Sequence, residues 1–321
     1  MRLLRRLIIG LAIGVGIPLA ILLYGWFAGG PAAKATEFTV ADGSSVSSVA
    51  ADLQDAGLIG SASRFKVGAR LFGGGDPVQA GEFEIPKGAS ASAILDLLQH
   101  GRPVQRLITV TEGMPAIIVQ ERLAANSFLT GPTPAIVEGS VLPDSYSFER
   151  GEARTKVVER MRAAMTKTLA EEWEKRSARS VAKTPEEAII LASIVEKETG
   201  KASERPMVAG VLSNRIRIGM ALGADATTIY PVTKGKPLGR MIRRSELAAD
   251  NGYNTRIMRG LPVGPITNPG RASIAAVLDP AETEALYYVA DGSGGHVFAR
   301  TLEEHNANAA KWRQYRKEKG I

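Results

Sequence analysis

Hydrophobic and polar positions along this chain fall into three patterns, and each predicts a different kind of element. The first is an unbroken apolar run. Leu7 to Phe27 is 21 residues without a charge, long enough to cross a hydrocarbon layer as a helix. Arg2, Arg5 and Arg6 precede it, which by the positive-inside rule holds residues 1–6 in the cytoplasm. Tyr24 and Trp26 at its far end suit a membrane–water interface. The run is longer than a signal-peptide core, which favours an uncleaved anchor over 7–27; small residues from Ala28 to Ala33 leave cleavage as the alternative. Residues 28–36 read as a linker, clearest from Pro31 to Thr36.

The second pattern is a repeat. Val40, Gly43, Val49 and Leu53 stand at the same offsets as Ile85, Gly88, Ile94 and Leu98, and again as Val110, Gly113, Val119 and Leu123. Each copy predicts a short strand, a glycine turn and an amphipathic helix, with Ser44 and Ser90 as local caps. Units this small bury little alone and must pack on one another or on a neighbour.

The third pattern is helical periodicity. Residues 135–150, including VEGSVLPDSYSF, read as a loop-rich stretch with Gly139, Pro143 and Asp144 as turn residues. A helix is expected from about Glu152 to Arg176 on Val157, Val158, Met161, Met165 and Leu169, and another from about Glu204 to Ile218. Between them, Thr184, Pro185 and Glu187 form a helix start. The helix that follows carries Ile190, Leu191, Ile194 and Val195 on one stripe. At roughly 100° per residue, Glu198 falls about 20° from Leu191 and about 40° from Ile194, whereas Glu196 falls about 140° from Leu191. Apolar surroundings disfavour an ionised carboxyl and raise its pKa toward that of a general acid. Glu198 therefore reads as an acid and Glu196 as a solvated helix residue. The alternative is that Glu198 lies at a frayed end, stopped by Gly200 and kept ionised by water.

Beyond Gly219 the chain is irregular and polar. GYNTRIMRGLPVGPITNPG predicts a long ordered loop of the kind that shapes a cleft. Tyr287, Tyr288 and Val289 predict a strand, and Asp291 to Gly295 a hairpin turn into Val297 and Phe298. Asn268 and His296 read as loop-fixing groups.

Composition narrows the chemistry. The chain has no cysteine, so it has no disulfide, thiolate metal site or cysteine nucleophile. Its three histidines form no metal-ligand pattern. The net charge of +7 is confined to the two ends, and Leu7 to Ala310 sums to zero. A nucleic-acid groove would need clustered positive charge in the body of the protein, so nucleic acid is not an expected partner. The basic C-terminal tail serves solubility or touches lipid headgroups.

Several ordered blocks together resemble one family. They are EGSVLPDSY from Glu138, ASIVEKETG from Ala192, LSNRIRIGM from Leu212, then Asp225, Thr227 and Tyr230, Tyr253-Asn254-Thr255, Gly260-Leu261-Pro262, Asn268-Pro269-Gly270 and Asp291 to Phe298. With the apolar run and the repeat, they resemble the endolytic murein transglycosylase, or YceG-like, family over essentially the whole length. The resemblance implies an α+β protein: an N-terminal transmembrane helix, a small LysM-like βα repeat domain over 37–107, and a larger α+β catalytic domain over 108–321. It implies a lyase that cuts the β-1,4 bond between N-acetylmuramic acid and N-acetylglucosamine in nascent glycan strands, leaving 1,6-anhydro ends and ending elongation. The family's catalytic glutamate falls on Glu198. Asn214, Arg215, Asp225, Thr227, Tyr230, Tyr253, Asn254 and Thr255 become candidates to hold the sugar. No metal or cofactor is implied. The partners expected are peptidoglycan strands, the membrane and enzymes of wall synthesis, and the implied place is the outer side of a bacterial inner membrane. Two other readings stand beside this one. The first is a non-catalytic peptidoglycan-binding scaffold. The second is a two-carboxylate muramidase, with Glu196 or Glu138 as its second group.

Overall fold

The structure, a computed structural model, describes residues 2–320, with side chains from Gly14 onward. The chain divides between Arg106 and Leu107 into two compact units. Helix α1 (Arg2–Phe27) opens the first unit. Among the described residues no helix is long and apolar enough to cross a membrane. The expected basic tail and the first part of the expected span, Leu7 to Ile13, lie outside the described side chains.

After α1 come strand β1 (Thr36–Val40), helices α2 (Val46–Asp55) and α3 (Ala62–Phe72), strand β2 (Gly81–Ile85) and helix α4 (Ala91–His100). The strands pair antiparallel, with Phe38 opposite Phe83 and Thr36 opposite Ile85. Alternation sends Phe38, Val40, Phe83 and Ile85 to one face, where Val49, Leu53, Phe65, Ile94 and Leu98 close the core. Ser90 caps α4, accepting from Ala93 N–H at 3.2 Å. In α2 the cap is Ser45 and not the expected Ser44, because Ser45 and Ser48 exchange hydrogen bonds in a capping box. Trp26 of α1 is 3% exposed and packs in this core beside Phe65. Helix α3 turns Ala62, Phe65, Gly68 and Ala69 to this core.

The repeated positions share one geometry. Val40, Val49 and Leu53, then Ile85, Ile94 and Leu98, then Val110, Val119 and Leu123 are all buried. Gly43, Gly88 and Gly113 sit at φ of 74°, 67° and 72°, a left-handed turn that a side chain would strain. The third copy belongs to the second unit.

That unit contains β3 (Arg106–Thr109), α5 (Ala116–Ala125), β4 (Ser145–Phe148), α6 (Arg154–Trp173), α7 (Pro185–Glu198), α8 (Arg205–Arg217), α9 (Asp225–Thr233), α10 (Arg244–Leu247), α11 (Arg271–Leu278), β5 (Tyr287–Ala290), β6 (His296–Ala299) and α12 (Leu302–Lys319). Strand β4 lies inside the stretch read as loop. It pairs with β3, and Tyr146 and Phe148 point inward, a pattern too short to stand out among the turn residues. Helix α12 replaces the expected basic tail; a Thr301–Glu304 capping box starts it, and no buried face marks it in the sequence. At the centre, α7 is buried from Ala188 to Val195 except at Ile190, and it packs against α6, α8, α9 and α11. The expected stripe is therefore part of a helix enclosed on nearly all sides.

A candidate active site at the end of α7

Helix α7 carries its candidate carboxyl to a defined place. Thr184 caps the start, accepting from Glu187 N–H at 3.2 Å, and Pro185 occupies the first turn. Glu198 is the last helical residue, followed by buried Thr199 as the C-cap. The negative end of the helix dipole disfavours an anion there.

Glu198 keeps partial exposure, and its Oε2 accepts a 2.7 Å hydrogen bond from the Tyr288 hydroxyl on β5. Burial pushes the Glu198 carboxyl above its ordinary range; the Tyr288 bond opposes this, the Asp225 charge adds to it, and His296 and Arg215 oppose it. Burial, and then the charge of Glu198, pushes the Tyr288 hydroxyl well above its usual value, so it stays a donor. His296 on β6 meets the Tyr288 ring edge-on at 5.3 Å. The His296 Nδ1 lies 2.8 Å from Glu204 Oε2, and its backbone N–H donates to Glu204 Oε1 at 3.0 Å. Glu204 thus fixes the ring that supports Tyr288. Tyr288 was read only as a strand residue. The paired tyrosines before a hairpin gave the strand, but nothing local tied one of them to Glu198, 90 positions away.

The other candidates separate by location. Arg215 donates from Nε to Leu286 O at 2.6 Å and lies 5.7 Å from the Tyr288 ring centre, so it belongs to the Glu198 cluster. Asn214 donates to Thr283 O at 2.7 Å and Ala285 O at 3.1 Å, and its Oδ1 accepts from Arg217. Its polar atoms are committed to holding the segment that leads into β5. Asp225 is exposed at the start of α9 and paired with Arg256, whose Nε donates at 2.8 Å.

Thr227, Asn254 and Thr255 are buried and correct the expectation that they meet a sugar. Thr227 Oγ1 donates to Ala224 O at 2.6 Å and lies 2.8 Å from Thr255 Oγ1. Asn254 accepts from Thr228 and donates to Leu247 O and Ala249 O at 3.0 Å each. Together they fasten the 251–256 loop to the start of α9, and so place Asp225. Polar loop residues resemble ligand contacts in a sequence, because the partners that satisfy them are far along the chain.

Glu196 also departs from its expected solvated role. Its side chain is 4% exposed, with Arg205 2.9 Å from one oxygen and Gly270 N–H 2.9 Å from the other. The same guanidinium reaches Glu112 at 2.6 Å. Glu196 is a buried tie between α7, α8 and the entry to α11.

Tyr230 and Tyr253 pack ring to ring at 5.0 Å, and the Tyr230 hydroxyl faces Glu138. Glu138 accepts from Ala116 N–H at 2.8 Å, and burial pushes its carboxyl up to about 7. It lies on a furrow of about 710 Å³ walled by Met165, Leu169, Ile189, Ile190 and Pro265. Glu138 thus lies beside the first half of α7, and Glu198 at its end. Among the described residues no group of three or more His, Asp or Glu side chains is placed to hold a metal ion.

The YceG-like family model matches residues 38–311, and the chain belongs to the YceG-like family. It is 32% identical over 186 residues to an endolytic murein transglycosylase of Bacillus subtilis, covering 57% of this chain and 50% of that protein. An endolytic murein transglycosylase of Streptococcus pneumoniae is 32% identical over 181 residues, covering 54% of this chain and 32% of that protein. The chain thus spans half or less of the length of these curated relatives. The crystal structure of a YceG-like protein of Listeria monocytogenes aligns with a TM-score of 0.53 at 25% identity, covering 85% of this chain and 98% of that one.

Proposed function

We propose that this chain is a membrane-anchored endolytic murein transglycosylase in which Glu198 is the catalytic acid. The observation that carries the reading is the partly exposed Glu198 carboxyl at the end of α7, raised by burial and held on one oxygen by Tyr288. Protonated Glu198 donates to the glycosidic oxygen between N-acetylmuramic acid and N-acetylglucosamine as the C1–O bond breaks. The muramoyl 6-hydroxyl oxygen then bonds to C1, and its proton returns to the carboxylate. The products are a 1,6-anhydro end and a free 4-hydroxyl, and no water is consumed. One carboxyl suffices because the nucleophile belongs to the substrate. With Glu196 tied to Arg205, it is not available as the second carboxylate that a hydrolase would need. Arg215, Asp225 and the Tyr288 hydroxyl edge line the approach to Glu198 as sugar contacts, and Tyr230 and Tyr253 line the Glu138 side.

In this proposal α1 is the anchor and the rest of the chain works outside the cytoplasm on nascent strands beside the synthetic enzymes. The first unit is a LysM-like glycan-binding module. The test is incubation of the full chain and Glu198→Gln with purified peptidoglycan, with products read by mass spectrometry. The expected outcome is anhydro-ended fragments from the wild type and a loss of roughly 10²–10⁴-fold in the variant. Equal release by both, or fragments heavier by one water, overturns the proposal.

A further inference from the structure

Where α1 meets α3, the first unit presents a mixed apolar and basic surface that none of its own elements covers. The contact begins with Trp26, whose ring lies 5.6 Å from Phe65 and 6.2 Å from Phe72, while Phe27 and Phe72 approach to 5.9 Å. Gly68 makes this possible: a Cβ there would lie 2.1 Å from Trp26 Cε3. The last turn of α1 is thereby clamped onto α3. What α3 turns outward is apolar in part. Val67 is 48% and Leu71 60% exposed, and Phe72 continues the patch toward Phe27 of α1. Val67 and Leu71 are one helical turn apart, with Lys66 and Arg70 exposed on one flank and Arg64 on the other. Helix α3 has three basic residues and no acidic one.

We infer that α3 lies in the surface of the membrane, with Val67, Leu71 and Phe72 among the acyl-chain ends and Lys66 and Arg70 on anionic phospholipid headgroups. Apolar side chains flanked by lysine and arginine are the composition of a helix that rests in the interfacial plane. A protein partner would gain little from two flexible cations beside the patch, whereas an anionic bilayer attracts each of them. The inference rests on the proposal that α1 is the anchor, since the clamp at Trp26 then fixes α3 where the chain leaves the bilayer. It adds that the first unit docks flat on the membrane and does not hang from a free tether.

The absence of cysteine makes the test clean. Leu71→Cys and Val67→Cys, with Glu84→Cys on the opposite, exposed face of the β1–β2 sheet as control, each carry one environment-sensitive fluorophore. The full chain is reconstituted in vesicles of phosphatidylglycerol and phosphatidylethanolamine, with and without lipid-borne nitroxide. The expected result is a blue shift and several-fold stronger quenching at 67 and 71 than at 84. Lys66→Glu with Arg70→Glu should return both probes to the level of the control, since each basic side chain near an anionic surface is worth roughly fivefold in partitioning. Co-flotation with vesicles but equal quenching at all three positions overturns the inference alone. Failure to co-float overturns the anchor and this inference together. A blue shift at 71 that persists in detergent without lipid quenching places a second protein on the patch and also overturns it.

Discussion

At the scale of single residues, two carboxyl groups are held above their ordinary range by burial, with different consequences. For Glu198 the opposing influence is the Tyr288 hydroxyl, which bonds and so favours the charged form. Tyr288→Phe removes that bond, so the Glu198 titration moves up. With the protonated acid as donor in the proposed reaction, activity lost on raising pH is retained to higher pH in the variant. The pH dependence of kcat/KM checks this, and an unmoved alkaline limb contradicts it. For Glu138 the consequence is stability. Its carboxyl rises from 4.5 to about 7 on folding. The stability it allows is present in full below pH 4.5 and is lost as pH rises through 7. Glu138→Gln keeps an acceptor for Ala116 N–H and does not titrate. Unfolding free energies from urea titration should therefore diverge in favour of the variant between pH 5 and 8, by up to about 3 kcal/mol.

At the scale of elements, the site is the meeting of a helix end with a hairpin. Helix α7 is fixed by a cap, a proline start and a body buried against four other helices. The β5–β6 hairpin is only a two-stranded ribbon, a form marginally stable alone. It is held from α8: Asn214 and Arg215 bond the carbonyls of Thr283, Ala285 and Leu286 immediately before Tyr287. Asn214→Ala should loosen the placement of Tyr288 without removing a substrate contact. The expected outcome is kcat lower by about tenfold, the equivalent of one lost hydrogen bond, with KM little changed. A rise in KM at constant kcat would instead assign Asn214 to substrate binding. Much of α7 and the hairpin was legible in the sequence, because caps, turn residues and apolar spacing are local signals. The role of Asn214 was not, because its partners lie about 70 residues further along.

At the scale of the whole molecule, the end of α1 belongs to the core of the first unit. Trp26 fills a space bounded by Phe65, Phe72 and Gly68. Trp26→Ala in the full chain should therefore destabilise this unit by about 3–5 kcal/mol, read as a lower first transition in thermal unfolding. A removable tether would show no such loss. The even charge of the chain body is also a whole-molecule property. With the surplus at the two ends, the basic residues of α3 act as a local feature that net charge does not reveal.

The sequence by itself determined the elements whose signals are near neighbours: the three strand–turn–helix copies, the start and length of α7, the β5–β6 hairpin and the family. Their positions carry side-chain periodicity and turn chemistry, which depend on residues a few places apart. The tertiary structure alone decided which polar residues face inward. It paired Glu196 with Arg205, closed Thr227, Asn254 and Thr255 into a frame, and brought Tyr288 to Glu198. A buried polar atom must be satisfied by whatever the fold places beside it, and no spacing in the sequence encodes a partner ninety residues away.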